Sequence, residues 1–94
     1  MSAMPSVDPM AVSAVRRLQF SASQQRALDF WTIYDRPKDY PHGVIARRHL
    51  LPGGPTEEML VAPLEDLRAI FRAAGLTMAP RAPKDDVKIV ETWI

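Results

Sequence analysis

The alternation of apolar and polar positions divides this chain near residue 28. Before that point small and polar residues hold no sustained period; after it, short apolar runs alternate with breaks rich in proline and glycine. Residues 30–34, Phe-Trp-Thr-Ile-Tyr, are β-branched or aromatic throughout and predict a strand. Alternation puts Phe30, Thr32 and Tyr34 on one face and Trp31 and Ile33 on the other. Pro37 and Pro41 interrupt strand pairing, and Gly43 releases the loop they shape. Residues 44–50 predict a second strand, with Val44, Ala46, Arg48 and Leu50 on one face and Ile45, Arg47 and His49 on the other. Pro52 to Thr56 is a turn by composition, and residues 57–62 predict a third strand, antiparallel to the second.

Residues 63–74 carry the clearest helical signal. Pro63 suits the first helical position, and Glu65 and Asp66 fall where the dipole favours acids. Leu64, Leu67, Phe71 and Ala74 form an apolar stripe with Ile70 beside it. Arg72 stands in the last turn and Gly75 ends the helix. Residues 77–86 show no period. Residues 87–94 predict a final strand in which Val87, Ile89, Glu91 and Trp93 alternate with Lys88, Val90, Thr92 and Ile94. Apolar residues on both of its faces suit a central strand or one covered on both sides.

These elements define an α+β fold over residues 28–94. Their order is β-β-β-α-β, a small, mainly antiparallel four-stranded sheet with one principal helix packed on one face. Residues 1–27 form an extension, mobile or weakly helical. Pro5 and Pro9 punctuate a mobile tail over residues 1–9. A short helix is then encoded from Pro9, capped by Asp8, with Met10, Ala14 and Leu18 on a shared face. Ser21 and Ser23 are candidate caps for a second weak turn reaching Arg26. Helices this short hold only when they dock.

Composition narrows the function. Ninety-four residues allow one domain with a modest core. Twelve basic residues against eleven acidic ones leave a net charge of +1, which lacks the basic bias of a dedicated duplex binder. The absence of cysteine excludes disulfides, thiolate nucleophiles and cysteine zinc sites. No apolar run approaches the roughly 18 residues of a membrane span. The first twenty residues lack the layout of a signal peptide, so a soluble, cytoplasmic protein is expected. No phosphate-loop, dinucleotide, zinc-finger, calcium-loop or serine-elbow pattern is present.

The candidate chemistry lies in the charged loop and the strands beside it. Asp35, Asp39 and His42 have the donor types for a metal, with Asp85 and Asp86 as further acids. Their spacing matches no metal motif, and turn hydrogen bonds to backbone amides explain Asp35 and Asp39 more simply, so neither metal nor cofactor is expected. His49 has the intrinsic pKa of a general base and shares a face with Arg47, but no nucleophile carries a signature beside it. Glu91, between Ile89 and Trp93, must pair, neutralise or face solvent. An ion pair with Arg47 or Arg48 across the sheet is the plain reading; an anion-facing Arg–Glu constellation is the functional one. Arg36, Arg47, Arg48 and Arg81, with Trp31, Tyr34 and Tyr40, have the types that bind unpaired RNA bases. Trp31 and Tyr34 fall on opposite strand faces, however, which disfavours one stacking platform. The wider set of candidate binding residues is Arg36, Asp39, Tyr40, His42, Arg48 and Arg81. Arg16, Arg17 and Arg26 are either a basic arm for phosphate or plain surface.

The segments WTIYDRPKDYPHGVIARR (residues 31–48), PLEDLR (63–68) and IVETWI (89–94) together resemble a family of small uncharacterised bacterial proteins. Those open with a Trp-Tyr strand and a Pro-Asp-Tyr/Phe-Pro loop and close on an aromatic strand. The resemblance covers residues 31–94 and implies no activity, cofactor or site. A short chain with this many aromatics has a high surface-to-volume ratio, and twofold pairing is the commonest remedy. The expected protein is therefore a self-associating interaction or structural module, a homodimer contacting through residues 87–94 with Trp31 or Ile33. The competing picture is a monomer in which residues 10–20 cover the second sheet face. A different protein partner, a single-stranded RNA, or a small-enzyme or ligand-binding role using His49, Glu91 and Arg47 are the alternatives.

Overall fold

The computed structural model describes residues 7–83 and 86–94. The first six residues of the expected mobile tail, and Asp85 among the candidate acids, lie outside the described residues. The chain runs through α1 (Pro9–Gln24), β1 (Leu28–Asp35), β2 (Val44–Leu51), β3 (Gly54–Val61), α2 (Leu64–Ala73), β4 (Met78–Pro80) and β5 (Ile89–Trp93). The strands form one antiparallel sheet in the order β3-β2-β1-β5-β4. The α+β architecture expected from the pattern is present, with β4 as a fifth strand.

The aromatic strand β1 lies at the centre. Trp31 faces Arg48 of β2 on one side and Trp93 of β5 on the other, so these three side chains share a face. That face takes the helices: Trp31, Ile33, Ala46 and Trp93 cluster with Ala11 and Val15 of α1 and Leu67, Ile70 and Phe71 of α2. Phe71 is the hub, its ring centroid 5.5 Å from Trp31 and 5.9 Å from Trp93, both tilted.

Helix α2 follows its pattern closely. Leu67, Ile70, Phe71 and Ala74 are buried and Leu64 packs at the margin of the core. Pro63 stands one position earlier than expected, as the N-cap, where a missing N–H costs nothing. The helix ends in a Schellman motif: Leu76 N–H donates to Phe71 O and Gly75 N–H to Arg72 O. Gly75 takes φ +89 there, and Leu76 tucks into the core.

Helix α1 is longer than its apolar pattern suggests, and its face differs. Asp8 caps it as expected, its carboxylate accepting from Met10 N–H at 2.9 Å. The helix then continues through Ser21 and Ser23, which do not start a second turn. Its buried positions are Ala11, Val15 and Ala22; of the expected face Leu18 does pack against the core, while Met10 is 80% exposed. Small residues allow the helix axis to approach the sheet, and the larger Met10 is turned outward. A second Schellman motif closes α1, with Ala27 N–H donating to Ala22 O and Arg26 in the left-handed position at φ 56. Residues 10–20 therefore dock, but on the face α2 already occupies; the second face stays free of helix.

The third departure is at the carboxyl end. Val87 is 85% exposed and precedes the strand, and a bulge between Ile33 and Tyr34 shifts the β1–β5 register. Val90 consequently packs against the core instead of alternating outward. Strand β4 covers the outer edge of β5, with Thr77 and Ile94 exchanging both backbone hydrogen bonds.

Leu67 tests the α2 register. Leu67→Ala is expected to cost about 2–5 kcal/mol in a urea melt, through lost burial and the cavity left behind. A loss under about half a kcal/mol would place Leu67 on the surface.

Candidate functional site

The face without helices brings several candidate residues together. Phe30, Thr32 and Tyr34 of β1 lie opposite His49, Arg47 and Ile45 of β2 in turn. Ile45 in turn faces Val61 of β3, and Arg47 faces Met59. Val61 and Met59 are 54% and 43% exposed, large apolar side chains on an uncovered sheet. Thr32 and Ile45 are buried on this same face, Thr32 beside Arg47 and Ile45 between Tyr34 and Val61.

His49 is held by two rings. It stacks on Phe30 with centroids 5.1 Å apart and planes within 5°, and its Nε2 lies 3.4 Å from the Tyr34 hydroxyl. A neutral imidazole nitrogen can accept from that hydroxyl. Burial holds the His49 pKa below its ordinary 6.5, and the Arg47 charge pushes it the same way. Among the described residues no carboxylate bonds His49.

Arg47 fastens the proline-shaped loop. Its Nη2 donates to Asp39 at 2.9 Å and its Nη1 to Thr56 O at 2.9 Å, so it joins the loop to β3. The loop closes on itself where Arg36 N–H donates to Gly43 O and Tyr40 N–H to Pro37 O. Arg36 turns the chain at φ 50, with its side chain out in solvent 3.5 Å from Asp35. The Tyr40 ring lies against Gly43, where an added Cβ would sit 2.6 Å from Cε1; this close approach is what the glycine permits. His42 and Arg81 are exposed in loops. Asp35, Asp39 and His42 are not gathered: among the described residues no group of three such side chains could hold a metal ion.

Arg48 and Glu91 fall on the other face, under the helices, and their partners differ from those expected. Arg48, nearly buried, donates from Nε to Asp29 at 3.1 Å, from Nη1 to Glu58 at 2.9 Å and from Nη2 to Leu18 O at 2.9 Å. Glu91 is met by Arg68 of α2, not by Arg47 or Arg48, with its closest contact 2.6 Å from Nη2. It also accepts from Trp93 Nε1 at 2.8 Å. The Glu91 hydrogen bonds raise the Arg68 pKa above its ordinary value, outweighing burial, and Glu65 adds to the effect. Trp31 Nε1 is buried with no partner, an uncompensated donor inside the core.

Sequence reasoning missed Asp29, Glu58 and Arg68. Each had a signal. Asp29 has the parity of Trp31 and Ile33, Glu58 that of Leu60, and Arg68 lies between Leu64 and Phe71 on the packed stripe. A charge at a core-facing position calls for an opposite one nearby.

No protein-family model, curated protein sequence or solved structure matches this chain. No described helix is long and apolar enough to cross a membrane.

Two measurements test these placements. Arg48→Ala is expected to destabilise the fold by about 3–5 kcal/mol in denaturant, because the buried Asp29 carboxylate loses its partner; a change near zero would mean the pair does not form. His49 gives a pH signature. Its folded pKa lies below the unfolded value of 6.5, so the unfolded chain takes the proton first. The stability owed to neutral His49 is complete above pH 6.5 and is lost as pH falls from there through the folded pKa. The thermal midpoint should therefore drop more between about pH 7 and about pH 5.5 in the natural chain than in His49→Gln. Equal slopes would mean that the ring is as free to protonate folded as unfolded.

Proposed function

We propose that this chain is a small interaction module that pairs with a second copy of itself through the uncovered face of its sheet. One observation carries the reading: both helices occupy a single face, while the other presents Met59 and Val61 beside the half-buried Phe30 and Tyr34. Apolar patches rimmed by polar groups mark contact surfaces. The charges there suit self-pairing. Arg47 is neutralised by Asp39, and His49 is uncharged near neutrality, so a twofold contact stacks no strong like charges at its centre. The contact proposed here uses β1, β2 and β3; Trp31, Ile33 and Trp93 are committed to the core.

A second reading has one specific observation in its favour. Phe30, Tyr34 and His49 share the uncovered face, and rings on a small sheet stack unpaired bases. Arg48 is lost to that reading by burial, and Arg47 by its bonds to Asp39 and Thr56. A catalytic role has less support, since the hollow beside Tyr40, of about 470 Å³, contains neither histidine.

The test is solution mass by light scattering. The natural chain should approach twice 10.5 kDa as concentration rises, and the double variant Met59→Lys/Val61→Lys should stay at 10.5 kDa with an unchanged circular dichroism spectrum. A natural chain that stays at 10.5 kDa through a rise of about a hundredfold in concentration rejects the pairing. Binding of oligouridine that is lost in Phe30→Ala would then favour the second reading.

A further inference from the structure

The outward side of α1 carries a feature that the sheet face does not explain. An open groove of about 810 Å³ runs along this helix, lined by Val7, Val12, Phe20, Arg16 and Arg17, with Ala73 of α2 on its other bank. That volume lies within the range of small-molecule sites, which are mostly apolar with a few polar groups that fix orientation. The α1 positions recur every three or four residues from Pro9 to Phe20, so they form one stripe three turns long, roughly 16 Å. The core stripe of α1 runs through Ala11, Val15 and Ala22, and Val12 borders both stripes, half-buried against the core. Phe20 lines the groove as a large ring, 65% exposed.

Charge identifies what kind of occupant fits. From Pro9 to Gln24 there are two arginines and no acid. Arg47, Arg48 and Arg68 each meet a carboxylate, but Arg16 and Arg17 meet none among the described residues. A second copy of this helix is a poor occupant, because twofold apposition would gather four arginines around one apolar seam. The groove calls for a negative charge on a slender apolar body. Adjacent guanidinium forks match the two oxygens of a carboxylate, and each methylene removed from water adds to the affinity.

We propose that the groove along α1 binds a single-chain fatty carboxylate, its head held between Arg16 and Arg17 and its acyl chain lying along Val12 and Phe20. An extended dodecanoate is about as long as the three-turn stripe. The site is separate from the uncovered sheet face, and its occupancy does not depend on self-pairing.

Isothermal titration of the full chain with dodecanoate, kept below its micelle concentration, tests the assignment. One-to-one saturable binding is expected. The variant Arg16→Glu/Arg17→Glu, altered only at exposed positions, should raise Kd by about tenfold or more. Dodecanol should bind more weakly than dodecanoate, and dodecyltrimethylammonium should not bind. The sheet-face variant Met59→Lys/Val61→Lys should keep the natural affinity. Absence of saturable binding, an unchanged Kd in the arginine variant, or equal binding of the cationic amphiphile would overturn the proposal. Loss of binding in the sheet-face variant would also overturn it, by moving the ligand to the other side of the molecule.

Discussion

A guanidinium taken out of water costs several kcal/mol unless its donors are met, and Arg48 meets its cost with three different elements. Asp29 belongs to β1, Glu58 to β3, and the Leu18 carbonyl to α1, while Arg48 itself stands on β2. One side chain thus fixes the lateral order of three strands and the seat of the first helix. Hydrophobic contact alone would tolerate α1 at several positions over the sheet, because apolar surface has no direction. A hydrogen bond to one backbone carbonyl does not tolerate that. The other side of the core has an equivalent fastening in Arg68 and Glu91, which ties α2 to β5 beside the Trp93 indole. Helix placement here is ionic in its specificity and apolar in its driving force.

Legibility in the sequence followed the range of the interactions. Helix α2 was readable because its period, its acidic first turn and Gly75 are local, and all three agree. The face of α1 was not, because close docking favours Ala11 and Ala22 over the more hydrophobic Met10, and closeness is a property of the partner surface. Strand β4 was invisible: three residues show no alternation, and their pairing with β5 is a long-range contact that no local pattern announces. The inward parity of Glu91 was correct, but its partner Arg68 lies 23 residues away on another element. Of the candidate residues, the sheet assembled Arg47, His49 and Asp39 and separated them from Arg48 and Glu91. Parity along the strands predicted that separation; the pairing across it needed three dimensions.

The two sides of the molecule consequently differ in kind. Beneath the helices the buried charges Asp29, Arg48 and Glu91 are each paired, and the Trp31 indole N–H is buried without a partner. On the bare side the groups are adaptable: a stacked imidazole, a phenol, a thioether and a valine, beside a loop tied down by one arginine.

The rim of the sheet limits how copies can meet. Its two outer strands are β3 and β4. Strand β4 is three residues long and ends in Pro80, and β3 carries Pro55 near its start with Glu57 and Glu58 in its middle. Proline removes a ladder donor, and short or charged edges discourage a further strand from adding. Growth by strand addition, which would propagate without limit, is therefore blunted at both ends. The pairing proposed above uses the broad face and not an edge, so it would close as a finite pair and would not run on as a fibre.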